Sequence, residues 1–294
     1  MLSLRGIFPP IVTPFEDDEV SFNHLSDNIK KWNEFDLSGY VVLGSNGENV
    51  MLSETESLQV IETAVKYVPE GRLVIAGAGQ ESTRHTIDFI KKAGLTGASA
   101  ALVIAPHYYK SQMKLPVLES YFREIADDSP IPVIIYNVPK FTGLEMSVDL
   151  IAALGEHPNI LGMKDSSGNI TYQQSILGLG LKNFQLLTGS ANTLMPSLLM
   201  GAVGGILAFA NIAPGLCLKL YRLVNTGKLE EARKIQIKIV KLNQLTTGIY
   251  GIGGLKFALD RIGFYGGKPR APLPLPNEKG RNEILDELKR LNLL

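Results

Sequence analysis

Short runs of β-branched and apolar residues alternate with stretches in which apolar positions recur at helical spacing, one such pair for about every 25 to 35 residues. Eight runs read as strands: Gly6–Thr13, Gly39–Gly44, Leu73–Ala78, Ser99–Ala105, Pro132–Asn137, Ile160–Lys164, Phe184–Thr188 and Gly204–Ala208. The stretches between them predict helices over Phe22–Phe35, Glu54–Val68, Thr83–Ala93, Lys114–Asp127, Ser147–Gly155, Thr171–Gly178 and Thr193–Met200. Ser53-Glu54-Thr55-Glu56 has the spacing of a capping box, which gives Ser53 a structural duty before any other. Nearly continuous apolar character marks parallel strands covered on both faces. Eight strands, each followed by a helix, predict an α/β fold closed as a (β/α)8 TIM barrel in preference to an open doubly wound sheet.

Past the last strand, Pro214–Asn225, Leu229–Thr246 and Gly253–Ile262 carry more helix than one barrel unit needs, and a final helix is expected near Asn282–Leu291. No Ser/Gly linker precedes them. Residues 1–225 are therefore expected to form the barrel and 226–294 a C-terminal helical extension packed on it. The turn-rich Gly266-Gly267-Lys268-Pro269-Arg270-Ala271-Pro272 is expected to be solvated surface.

Composition narrows the function. The 294 residues are 45% hydrophobic and carry 29 acidic against 29 Lys plus Arg side chains, enough for a large core and no charge bias toward nucleic acid. The first residues lack the charged-then-apolar run of a signal peptide, and no stretch of about 20 residues is free of charges, Gly and Pro. A soluble, cytoplasmic protein with no membrane partner is expected. Cys217, the single cysteine, lies between Leu216 and Leu218 and reads as a core residue, which excludes a disulfide and a thiolate metal site. His24, His85, His107 and His157 show no metal-ligand spacing, Gly77-Ala78-Gly79 lacks the register of a dinucleotide loop, and no Gly-x-Ser-x-Gly elbow occurs. Neither a metal nor an organic cofactor is expected.

One residue breaks the apolar pattern. In Ile160-Leu161-Gly162-Met163-Lys164-Asp165-Ser166-Ser167-Gly168 a strand runs straight into a lysine. Strand alternation puts Ile160, Gly162 and Lys164 on one face, with Gly162 leaving space beside the amine. Most such lysines pair with a carboxylate or reach solvent; one held in a semi-buried site is a nucleophile toward carbonyl carbon. Active residues of a barrel sit at the carboxyl ends of its strands. Gly44-Ser45-Asn46-Gly47-Glu48 has backbone N–H groups and short side chains suited to a carboxylate, and reads equally as an ordinary βα turn. Tyr136, one strand before Lys164, is placed either to relay protons or simply to pack. His107-Tyr108-Tyr109 and Thr188-Gly189-Ser190 close two further strands.

Taken together these motifs resemble the N-acetylneuraminate lyase and dihydrodipicolinate synthase family of class I aldolases. The similarity runs from Phe8-Pro9-Pro10-Ile11-Val12-Thr13-Pro14-Phe15 to Gly263-Phe264-Tyr265-Gly266-Gly267. Its specific elements are Gly44–Glu48, Tyr136-Asn137-Val138-Pro139 with Thr142-Gly143, and Gly162–Gly168. The resemblance implies a TIM barrel, usually a homotetramer, in which Lys164 forms a Schiff base with pyruvate or another small 2-oxo acid. It implies that Tyr136 relays protons and that Tyr108 or Tyr109 reaches across a subunit contact. Synthases that use aspartate semialdehyde typically have Thr-Thr at Ser45-Asn46 and a carboxylate-binding arginine at Phe141, whereas Lys140 is displaced from that position. The pairing of Gly-Ser-Asn-Gly-Glu with Met-Lys-Asp-Ser is similar to the 4-hydroxy-2-oxoglutarate aldolases, where residues matching Ser45, Asn46 and Ser166 hold carboxylates. On this resemblance the Thr188-Gly189 turn also anchors a carboxylate and Ile206 forms an apolar wall. The expected reaction is cleavage of 4-hydroxy-2-oxoglutarate to pyruvate and glyoxylate. Dihydrodipicolinate synthase or 2-keto-3-deoxy sugar-acid aldolase chemistry, and a non-catalytic barrel that binds a 2-oxo acid, are the alternatives.

Overall fold

In the computed structural model, which describes residues 2–294, the apolar runs form eight parallel strands. They are β1 (Gly6–Phe8), β2 (Gly39–Val42), β3 (Leu73–Gly77), β4 (Ala100–Ile104), β5 (Val133–Asn137), β6 (Ile160–Asp165), β7 (Gln185–Thr188) and β8 (Gly204–Ile206). From β2 to β8 each pairs with its sequence neighbour, and β8 returns to pair with β1. The remaining seam is closed where Ile11 N donates to Val41 O (2.9 Å) and Val41 N to Pro9 O (3.0 Å). The (β/α)8 barrel is thus complete. The first strand was expected to run to Thr13, but Pro9 and Pro10 have no N–H to give to a ladder, and regular pairing stops at Phe8. Beyond it lies an unforeseen antiparallel hairpin, Phe15–Glu16 with Glu19–Val20, turned by Asp17 and Asp18 at φ 49° and 68°.

The barrel helices are α1 (Phe22–Trp32), α2 (Glu54–Tyr67), α3 (Thr83–Thr96), α4 (Leu115–Asp128), α5 (Val148–Leu154), α6 (Ile170–Gly178), α7 (Leu194–Met200) and α8 (Pro214–Asn225). The predicted capping box is present: Ser53 Oγ accepts from Glu56 N at 3.2 Å, and Ser53 N donates to the Glu56 carboxylate at 2.7 Å. Then come α9 (Leu229–Asn243), a π-helical turn over Gln244–Ile249, α10 (Gly251–Arg261) and α11 (Glu278–Arg290). None of the helices among the described residues is long and apolar enough to cross a membrane.

Two apolar layers follow from the two strand faces. Phe8, Val41, Ile75, Leu102, Ile134, Leu161, Leu187 and Ile206 fill the barrel, while a larger set packs the strands against the helices. β6 departs from simple alternation. Val133 pairs with Ile160 but Ile134 with Gly162, so β6 carries an extra residue. Leu161 therefore faces the barrel interior, and Ile160 and Met163 face the helices. Ile160 thereby leaves the face on which it was expected with Gly162 and Lys164, while those two stay in register with the inward-facing Ile134 and Tyr136. Gly162 sits at φ 155°, and a Cβ there would lie 1.9 Å from Gln185 O. The close approach of β7, not room for an amine, requires the glycine.

The segment expected at the surface is also partly internal. Arg270 donates to Met51 O at 2.7 Å and Glu56 Oε1 at 2.6 Å, and Lys256 is fully buried against Glu48. The sequence pattern gives no sign of this, because the partners lie more than 200 residues away. Cys217 is buried, as expected of a core residue, and burial pushes its thiol up to about 12.

Candidate active site

The register of β5 on β6 pairs Tyr136 with Lys164 and Asn137 with Asp165. Alternation then sends the first pair to the barrel mouth and the second outward. Asp165 is fully buried and accepts from Asn137 Nδ2 (2.8 Å), Gln173 Nε2 (2.9 Å), Ser167 Oγ (2.8 Å) and Ser167 N (3.1 Å). These neutral donors satisfy the carboxylate and clip the two strand ends together. Nothing in the sequence motif signals this role for Asp165, since its partners come from three segments.

On the inner side Lys164 is 3% exposed, with Nζ 4.2 Å from the Tyr136 ring centroid. Among the described residues, no carboxylate lies within ion-pair distance of it. The Tyr136 hydroxyl meets Ser45 Oγ at 3.3 Å. Ser45 and Asn46 open a short 3-10 turn in which Gly47 N and Glu48 N are bonded to Gly44 O and Ser45 O, while the first two N–H groups find no acceptor among the described residues.

A cavity of about 270 Å³ joins these groups. Its buried lining includes Tyr136, Val138, Lys164 and Ile206; Ser45, Asn46, Ser166 and Gly189 border it at intermediate depth. So the residues expected at the site meet at one place, with two qualifications. Gly189 N donates to Asp165 O at 2.6 Å, and Thr188 Oγ1 pairs with Thr193 Oγ1 at 2.9 Å, so that turn has neither group free for a carboxylate. A Cβ on Gly189 would strike Ser166 Oγ at 1.9 Å, which accounts for the glycine. Tyr108 and Tyr109, 77% and 63% exposed, stack edge-on with centroids 5.0 Å apart and do not line the cavity.

The outer lining was not foreseen. Asn243, Gln244, Thr247 and Gly248 come from the end of α9 and the π-helical turn, and Asn192 joins them by accepting from Asn243 Nδ2 at 2.9 Å. Lys140, exposed, bonds Thr247 O at 3.4 Å across the mouth beside Phe141. The cavity lining thus carries two lysines and no acidic side chain. Leu229–Thr246 reads as uninterrupted helix in the sequence; the Thr246-Thr247-Gly248 run was the only local signal of a break.

A (β/α)8 barrel with a buried lysine at the carboxyl end of its sixth strand, facing a tyrosine on the fifth, defines an aldolase-type barrel. The chain belongs to the dihydrodipicolinate synthetase family, whose model matches residues 3–291. A 4-hydroxy-tetrahydrodipicolinate synthase of Methanothrix thermoacetophila is 32% identical over 292 residues, spanning 98% of this chain and 97% of its own. A protein of Emericella nidulans named "Probable 4-hydroxy-2-oxoglutarate aldolase, mitochondrial" is 35% identical over 281 residues, 93% of this chain and 90% of its own. Among solved structures, the dihydrodipicolinate synthase of Acinetobacter baumannii complexed with pyruvate superposes with a TM-score of 0.93 at 29% identity, covering 99% of this chain and 100% of that one. YagE of E. coli K12, also in complex with pyruvate, gives 0.92 at 26%, covering 99% of each. The protein is an enzyme of this family of class I aldolases and lyases.

Proposed function

We propose that the protein cleaves 4-hydroxy-2-oxoglutarate to pyruvate and glyoxylate through a Schiff base on Lys164. The observation that carries this reading is a buried amine, free of any carboxylate, at the base of a cavity lined by a second lysine and no acid. Such a lining suits a substrate with a carboxylate at each end. The Lys164 amine attacks the C2 carbonyl, and loss of water leaves an iminium. Tyr136, with Ser45 as its hydrogen-bonded neighbour, takes the proton of the C4 hydroxyl. The C3–C4 bond breaks, its electron pair enters the iminium to give an enamine, and glyoxylate departs. Protonation of the enamine at C3 and hydrolysis return pyruvate and the free amine. The N–H groups of Ser45 and Asn46, together with Ser166, hold the C1 carboxylate, Lys140 lies near the distal one, and Ile206 walls the apolar side. The cycle calls for no metal or organic cofactor.

A second reading has its own support. Asn192, Asn243, Gln244 and Thr247 present amides and a hydroxyl to the outer cavity, which suits a hydroxylated acceptor such as the aldehyde half of a 2-keto-3-deoxy sugar acid. Condensation rates with pyruvate and glyoxylate, glyceraldehyde or aspartate semialdehyde separate the readings. Glyoxylate is expected to give the highest kcat/KM; preference for glyceraldehyde would establish the second reading, and preference for aspartate semialdehyde would assign synthase chemistry despite Phe141. We further propose a homotetramer with Tyr108 or Tyr109 completing a neighbour's site, which sedimentation and the separate Tyr108→Phe and Tyr109→Phe variants test.

A further inference from the structure

Glu48 directly follows the Ser45–Gly47 turn that borders the cavity, yet its own side chain turns away and is 1% exposed. Its Oε1 lies 2.6 Å from Nζ of Lys256, which is 0% exposed. Oε2 accepts from Arg270 N at 2.8 Å, and Lys256 Nζ also donates to Lys268 O at 3.2 Å. The ring of Phe15 lies 4.3 Å from the Lys256 ammonium. Burial pushes that lysine below its ordinary range, and Glu48 is the chief influence opposing the shift.

Lys256 belongs to α10, the helix that begins just after the π-helical turn. That turn lines the same cavity as Ser45 and Asn46, through Gln244, Thr247 and Gly248. One buried pair therefore ties the two walls together behind the site. Thr13 Oγ1 pins the same loop by donating to Gly47 O at 2.7 Å, and Glu48 holds a left-handed backbone at φ 55°. Desolvating two charges offsets most of what their attraction returns, and an apolar pair of similar size packs about as stably. What such a pair adds is a fixed geometry.

We propose that Glu48 and Lys256 are positioning residues: their ion pair is a strut that sets the distance between the Ser45–Gly47 turn, and with it the Tyr136 hydroxyl, and the Gln244–Ile249 wall. The inference rests on the Schiff-base reading above. It is tested with the double variant Glu48→Gln/Lys256→Met, which removes both charges and keeps the volume. Three quantities are read: thermal stability, borohydride trapping of pyruvate on Lys164, and kcat for carbon–carbon cleavage. The double variant is expected to fold, to trap pyruvate as the unaltered enzyme does, and to lose kcat by on the order of 10²-fold, the effect of misplacing a proton-transfer partner by about an ångström. Unaltered kcat and KM in a folded double variant overturn the strut. If the double variant does not fold, Glu48→Asp, which keeps the charge and shortens the reach by one methylene, decides on the same kcat reading. Failure of the unaltered enzyme to trap pyruvate sinks the Schiff-base reading and the strut with it, whereas normal trapping with normal turnover in the variant sinks the strut alone.

Discussion

Lys164 and Tyr136 occupy adjacent strand ends for the same reason: each is the last inward-facing residue before its strand gives way to a loop. In the proposed cycle the lysine supplies the bond to the substrate and the tyrosine the proton route, so their variants separate. Tyr136→Phe keeps the ring beneath the amine and removes only the hydroxyl; it is expected to lower kcat by about 10²–10⁴-fold while pyruvate is still trapped on Lys164. Loss of trapping would place the tyrosine in Schiff-base formation instead. Both residues were legible in the sequence, because an ammonium or phenol at the end of an apolar strand is conspicuous. Asp165 was not, since four neutral donors scattered from Asn137 to Gln173 give it its place. A carboxylate outside the cavity lining makes a prediction of its own. Hydrogen bonding from Arg270 holds Glu56 well down, at about 2 from an ordinary 4.5. A depressed carboxyl stabilises the fold above its unfolded value, and that contribution is lost as pH falls from about 4.5 toward about 2. Glu56→Gln is therefore expected to flatten the dependence of Tm on pH across that window and leave neutral-pH behaviour set by the remaining capping contacts; an unchanged acid limb would contradict the assignment.

Among the elements, β6 shows where periodicity misleads. A period of two correctly finds a strand, but one extra residue at the Val133–Ile134 register shift exchanges the faces before it, and alternation counted from Ile160 wrongly puts Ile160 beside Lys164. The backbone of β7 pressing on Gly162 is a tertiary fact that no local pattern carries. Gly162→Ala must both adopt φ 155° with a side chain and clear Gln185 O, and is expected to destabilise the protein by at least about 2 kcal/mol in denaturant melts. Ordinary stability would mean that β7 can yield. The C-terminal helices illustrate a related limit. The apolar stripe of α9 announced a packed helix, but not that its end would unwind into a π-helical turn, because intrinsic propensity barely distinguishes the two until Thr246-Thr247-Gly248.

For the molecule as a whole, the barrel was readable because eight apolar strands separated by amphipathic helices admit few closed arrangements. The site was readable only in its inner half. Ser45, Asn46, Tyr136, Lys164 and Ser166 sit on barrel strand ends and the loops after them, whose order the fold dictates, whereas Asn243, Gln244 and Thr247 reach the mouth from a segment outside the repeat. The proposed cycle leaves acceptor choice to that outer half; the relatives in the dihydrodipicolinate synthetase family carry the names of different activities. The claim common to every catalytic reading is covalent capture of a 2-oxo acid by one amine. Reduction with borohydride in the presence of pyruvate, followed by peptide mass mapping, tests it most directly. The account predicts a single three-carbon adduct on Lys164, absent from Lys164→Ala; an unmodified Lys164, or an adduct spread over surface lysines, would contradict it.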